Sequence, residues 1–209
     1  MKNKHKLRIE KITLPRRERK KHQLKEAIYN TAIELFLKKG YDNVTIEDIT
    51  EKVDVAKGTF FNYFASKDAI LPYFLSKHLE EVRERLPKEM KHFKTAQKKL
   101  QHLFYLLGQL VLENELLIKW VLMESFRLNV YQKEKTEIFG NILTIMIQIL
   151  KEGQEKGEFR NNMDPAESAE ILESIFFFSA MRWLTYDNPT PIIEDLCNKV
   201  NYFLDGIKT

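Results

Sequence analysis

Cysteine occurs once in the 209 residues, at Cys197. No intrachain disulfide can staple the fold, and a reducing compartment suits the chain. A lone cysteine in a helical stretch reads as a small apolar residue. Glycine and proline number only seven and six, too few to punctuate many short strands. With abundant Leu, Ile, Lys and Glu, that scarcity predicts an all-α chain. Long apolar runs are also missing. The greasiest stretch, Ile142 to Leu150, is interrupted by Thr144 and Gln148, well short of the roughly 20 residues a membrane span needs. Near the start, Leu7, Ile9, Ile12 and Leu14 are separated by polar residues, so no secretory h-region forms. A soluble, cytoplasmic protein is expected. Catalytic signatures are absent too: no Gly-rich phosphate loop, no HExxH, no Cys or His pair at metal spacing. His5, His22, His78, His92 and His102 are scattered. The expectation is no enzyme, no cofactor and no metal.

Apolar residues are plentiful, at 44%, enough for a sizeable core. Charge is uneven. Residues 1–25 hold eleven Lys/Arg against Glu10 and Glu18, a net of +9, and the remainder carries −5. A basic arm on a mildly acidic body fits a polyanionic partner, or is simply solvated. Residues 1–21 could enter a minor groove, track phosphates or stay disordered.

The apolar pattern predicts about nine helices. The first runs from about Arg16 to Lys39, with Leu24, Ala27, Ile28, Thr31, Leu35 and Phe36 at three- and four-residue steps and Gly40 as its stop. Thr45 and Asp48 have capping-box spacing at the start of a short second helix. A tight connection at Asp54-Val55-Ala56 leads to a third, Lys57 to Phe64. Ser66 reads as the N-cap of a fourth helix that ends near Pro87 and is kinked by Pro72. Further helices are expected at about 88–112, 115–128 and 132–155, the last ended by Gly157. Asp164-Pro165-Ala166-Glu167 is a strong start signal, and Thr190-Pro191 opens a final helix in the same style. In the helix after Asp164, Phe176, Phe177 and Phe178 point about 100° apart. Such a helix, apolar on nearly all sides, needs cover from more than one direction; a second subunit is a natural cover, the alternative being burial wholly within its own monomer. The expected dimer interface is Ile175, Phe176, Phe178, Trp183, Ile193, Leu196, Val200 and Phe203.

Residues 40–71, GYDNVTIEDITEKVDVAKGTFFNYFASKDAIL, carry the functional signal. Two short helices at a tight turn form a helix-turn-helix unit, whose second helix can enter a major groove. Gly40-Tyr41, Val44-Thr45, Ile49, Val55, Gly58-Thr59, Phe61, Tyr63-Phe64 and Ser66-Lys67-Asp68 closely resemble the DNA-binding domain of the TetR family of bacterial repressors. The likeness spans roughly residues 24–71. Three positions depart from the family pattern: Thr50 for Ala, Asp54 for Gly in the turn, and Phe61 for Tyr, which removes a phosphate-contacting hydroxyl.

The resemblance implies three divisions: a basic arm at 1–15, a helix-turn-helix domain at 16–66, and a helical ligand-binding and dimerisation domain at 67–209. It implies a homodimeric regulator, most simply a repressor, on double-stranded DNA, with recognition helices 34–36 Å apart or a multiple of that. Lys57, Gly58, Thr59 and Asn62 are expected at base edges: Lys on guanine, Asn on adenine, the Thr methyl on thymine, and Gly58 for close backbone approach. Thr45, Tyr63 and Lys67 are expected at phosphates, where contacts position but do not specify. A small-molecule effector is implied for the larger domain. Leu103, Phe104, Leu107, Trp120, Met123, Phe126, Phe139, Leu143, Met146 and Phe177 would line a pocket suited to a hydrophobic or aromatic ligand, with the Pro72 kink relaying its binding. The alternative is a DNA-binding protein of the same fold with no effector, in an architectural or activating role.

Overall fold

The structure is a computed structural model. It describes residues 15–127, 140–186 and 190–209, with the side chains of 125–127, 140 and 141 outside that description. The described residues form two compact units that divide between Lys67 and Asp68.

The first unit is built on α1 (Arg16–Lys39), α2 (Ile46–Val53) and α3 (Lys57–Phe61). α1 buries Ile28, Tyr29, Ala32, Leu35 and Phe36, the stripe its periodicity predicts. It stops at Gly40, whose φ of 83° lies where a side chain would be strained. Tyr41 then folds back, its ring 5.0 Å from that of Phe36 and edge-on to it. α2 starts with the full capping box. The Asp48 amide donates to Thr45 Oγ1 at 3.1 Å, and the Thr45 amide donates to Asp48 Oδ2 at 2.8 Å. The turn into α3 passes through Asp54 at φ 60°, ψ 53°. That left-handed conformation is one Asp tolerates better than most residues. α3 is shorter than expected, because Asn62 and Tyr63 form a turn instead of continuing it. Phe60 and Phe64 are nonetheless both buried, with rings 5.9 Å apart. Each such side chain contributes about 1.5–3 kcal/mol of burial.

The second unit comprises α4 (Ile70–Glu89), a 3-10 turn at Met90–His92, α5 (Ala96–Glu113), α6 (Glu115–Arg127), α7 (Gly140–Glu155), α8 (Pro165–Thr185) and α9 (Ile192–Ile207). Nine α-helices are thus present among the described residues, and the only β pairing there is a single bridge between Phe159 and Lys208. The part of the expected 132–155 helix before Gly140 lies outside the described residues.

Two expectations for α4 are corrected. Ser66 is not its cap; Ala69 is. Pro72 therefore sits in the first turn, where helical N–H groups have no partner anyway. The Asp68 carbonyl accepts from Leu71 N at 3.2 Å, so Pro72 breaks no helical bond and gives no reason for a kink. The helix also continues through Pro87 to Glu89 before tightening into the 3-10 turn. At α8 the start signal acts as read: Asp164 Oδ1 accepts from the amides of Ala166 and Glu167 at 2.6 and 3.3 Å. In α9, Pro191 is the N-cap and not the first helical residue, and no side chain caps the helix.

Two glycines in this unit admit close neighbours. A Cβ on Gly108 of α5 would lie 2.8 Å from Ile193 Cγ1 and 3.5 Å from Leu196 Cδ1 of α9. On Gly153 of α7 it would overlap the Phe159 ring. These contacts cover part of the expected dimer face from within the chain. Leu196 and Val200 are fully buried in the chain's own core, α9 packing on α5, and Phe176 is buried too. Ile175, Trp183, Ile193 and Phe203 are half-buried, and only Phe178 of the expected set is exposed, at 62%. α8 and α9 are further tied by Asp195, which is 9% exposed. Its carboxylate accepts from Arg182 Nη2 of α8 at 3.0 Å and from Lys199 Nζ, which also donates to Ser179 Oγ at 2.8 Å.

Candidate functional site

α3 presents a short edge of polar and backbone atoms. Phe60 anchors it from below and packs edge-on to Phe61 at 5.6 Å. On the outer side Lys57, Gly58 and Asn62 are exposed, and Thr59 is half-buried. A Cβ on Gly58 would meet nothing within 4 Å, so nothing among the described residues requires glycine there. Phe61 is 48% exposed. Lacking a hydroxyl, it offers an apolar edge of the kind that meets a thymine methyl.

Lys57 is held by Glu47 of α2, whose carboxylate accepts its ammonium. That hydrogen bond is the main reason the Glu47 carboxyl lies below its ordinary range. Asp48 is held further down, by hydrogen bonds first from Lys39 and then from the Thr45 hydroxyl and amide. Thr50 stands where the resemblance leads one to expect Ala. It is buried, and its hydroxyl donates to the Glu47 carbonyl at 3.1 Å, so the extra polar group is satisfied.

Thr45 lies exposed at the α2 N-terminus, and Tyr63 is half-buried just after α3. Lys67 has a role that sequence did not show. Its Nζ donates to the carbonyls of Tyr41 and Val44 at 2.9 and 3.0 Å and sits 4.3 Å from the Tyr41 ring centroid. The ammonium therefore clips the loop that leads into α2. An ammonium has three N–H donors, so one remains for another acceptor.

The second unit contains a narrow apolar cleft. Leu79, Leu107, Ile142, Leu143, Met146, Glu173 and Phe176 line it, from α4, α5, α7 and α8. Of the expected pocket residues it includes Leu107, Leu143 and Met146. Leu103 and Phe104 are fully buried core, Phe177 is buried, and Trp120 is half-buried. Met123 is 52% exposed and does not line it. Phe139 and the Phe126 side chain lie outside the described residues. Leu79, Ile142, Glu173 and Phe176 were missed as lining, and Phe176 had been assigned to a dimer interface. Glu173 is the one charged lining residue. Cys197 is half-buried, and burial raises its thiol pKa, which lowers its reactivity. No helix among the described residues is long and apolar enough to cross a membrane.

Comparison with known proteins points the same way. Residues 28–73 match the family model of bacterial regulatory proteins of the tetR family. The chain is 25% identical over 185 residues to the fatty acid metabolism regulator protein of Bacillus subtilis, covering 86% of this chain and 93% of that one. Its structure resembles that of Thermus thermophilus FadR, a TetR-family repressor solved with lauroyl-CoA, with a TM-score of 0.76 and 27% identity over 88% of this chain and 95% of that one. Bacillus subtilis FadR with stearoyl-CoA shares the fold, with a TM-score of 0.68 and 23% identity over 87% and 98% of the two chains. The helix-turn-helix unit is thus one of the tetR family of bacterial regulatory proteins, and the whole chain, with its all-helical body, is similar in sequence and fold to regulators of that family.

Proposed function

We propose that the protein is a homodimeric, cytoplasmic repressor that leaves a palindromic operator when a fatty acyl thioester of coenzyme A occupies the cleft of its second unit. It acts by binding, not by catalysis. The observation that carries the DNA half is the outer edge of α3: an exposed strip around Gly58, pinned from beneath by Phe60 and open to a partner outside the chain. On this reading Lys57, exchanging Glu47 for guanine, and Asn62 and Thr59 face base edges. Thr45, Tyr63 and the third N–H of Lys67 face phosphates. Exposed Ile171, Phe178, Tyr186 and Tyr202 on or beside α8 and α9 supply the apolar surface for the second copy. The domain limits proposed at 15/16 and 66/67 follow the same division of labour.

The acyl part of the ligand is supported by the apolar lining and by the likeness to a repressor solved with lauroyl-CoA. An acyl chain gains about 0.8 kcal/mol per buried methylene, so four helices lined with Leu, Ile and Met favour it over a small polar effector. The test begins with selection of bound duplexes from a random pool. Acyl-CoA of graded chain length, coenzyme A alone and a small aromatic compound are then titrated into the operator complex. Release by long-chain acyl-CoA only is expected. Release by the aromatic compound alone, or by nothing, overturns the ligand assignment. Leu143→Trp, which fills the cleft, should keep operator binding and lose release.

A further inference from the structure

The first two turns of α1 contradict a local rule of helix stability. Pro15 to Gln23 are all exposed, and the first buried residue is Ile28. This end of the helix therefore projects about 12 Å beyond Gln23, at 1.5 Å per residue, with no residue buried among the described ones. It carries Arg16, Arg17, Arg19, Lys20 and Lys21 against one acid, Glu18. Cations at a helix N-terminus oppose the macrodipole, and none of these five is in an ion pair with any described residue. Local rules are broken in this way where function compensates.

Their arrangement is not random. At 100° per residue the five cations share a sector of about 200°, with Glu18 and His22 on the remainder. The turns that carry the sector end close to the reading helix. Lys25, one turn beyond Lys21, places its Nζ 5.4 Å from the Phe64 ring centroid, and Phe64 packs on Phe60 of α3. The basic turns thus extend outward from the C-terminal rim of α3.

We propose that Arg16 to Lys21 form a second duplex-binding element, a cationic helical spur that grips the phosphates flanking the half-site read by α3. The inference rests on the DNA-binding reading above. The spur binds charge without reading sequence, and its effect falls with salt by counterion release.

The test uses the full chain and the selected operator, with flanks either long or trimmed to the half-sites. In Arg17→Gln/Lys20→Gln/Lys21→Gln, affinity for the long duplex should fall about 10- to 50-fold near physiological salt. The salt slope should drop by about 2.7 per protomer, or 0.9 for each of three contacts. Base preference should be kept, and trimming should cost wild type affinity but leave the variant unchanged. The melting temperature should hold or rise, since cations leave the positive end of a helix. The charge-conserving Arg17→Lys/Arg19→Lys should bind as wild type does. An unchanged slope and unchanged flank dependence in the triple variant overturn the proposal. So does a charge-conserving variant as weak as the neutral one. A wild type that binds no duplex sinks the DNA-binding reading itself, a result distinguishable from either.

Discussion

Gly58→Ala separates stability from recognition at a single atom. The new Cβ has no neighbour within 4 Å in the chain, and the φ of Gly58 is not positive. Alanine therefore fits the free protein without strain. In a helix it is favoured over glycine by up to about 1 kcal/mol, less in a first turn. A gain of about 0.5 kcal/mol in a unit of this size raises the melting temperature by about 2–4 °C. On DNA the same methyl would occupy the gap through which the backbone approaches a base edge. Overpacking of a fitted contact costs about 1–3 kcal/mol, roughly a 5- to 150-fold loss of operator affinity. Thermal melting and gel-shift titration on one protein preparation measure both. A variant that melts higher and binds weakly supports the docking of α3. One that binds its operator as tightly as wild type would refute it, because the space before Gly58 would then be empty in the complex.

Other outcomes follow from the same geometry. Lys67→Ala should lower the melting temperature, because the loop carbonyls of Tyr41 and Val44 lose their donor, and should reduce the salt slope of DNA binding by about 0.9. Lys57→Ala should leave stability nearly unchanged and relax base preference; equal effects from the two would contradict the assignment. The Asp48 carboxyl is held well below its ordinary range. Its contribution is therefore complete above the usual Asp pKa of about 3.9 and is lost only as pH falls toward the depressed value. Melts at neutral pH and below about pH 4 should show Asp48→Asn destabilised at the higher pH, with the gap closing in acid. Gly153→Ala should destabilise the second unit by about 1–3 kcal/mol, since its Cβ would overlap the Phe159 ring. Its folded fraction should retain normal operator affinity, as read by gel shift.

The features legible in the sequence were local. The limits of α1, the Thr45–Asp48 box, the left-handed Asp54 and the Asp164 cap each depend on residues a few positions apart. The buried pair Phe60 and Phe64 is likewise only four residues apart. What was missed depended on distant partners. The loop leading into α2 is clipped by the Lys67 ammonium, from 26 and 23 residues further along the chain, and no local pattern announces such a clip. Periodicity marked Leu196 and Val200 as an apolar seam but could not say which surface covers it. Gly108, on another helix, admits α9 and settles the matter. The cleft draws on four helices, so Leu79, Ile142 and Phe176 could not be joined from spacing within any one of them.

The Asp195 carboxylate has a bearing on how this lineage can change. Two cations from two helices converge on one buried acid. Losing the acid strands the cations against each other, and losing a cation leaves the acid under-compensated, whereas exchanging the whole trio for well-fitted apolar side chains can be neutral. Single-step replacements therefore lead downhill, and the three positions should be inherited as a block. Among descendants of this chain they are expected to be all charged or all greasy, with mixed states rare.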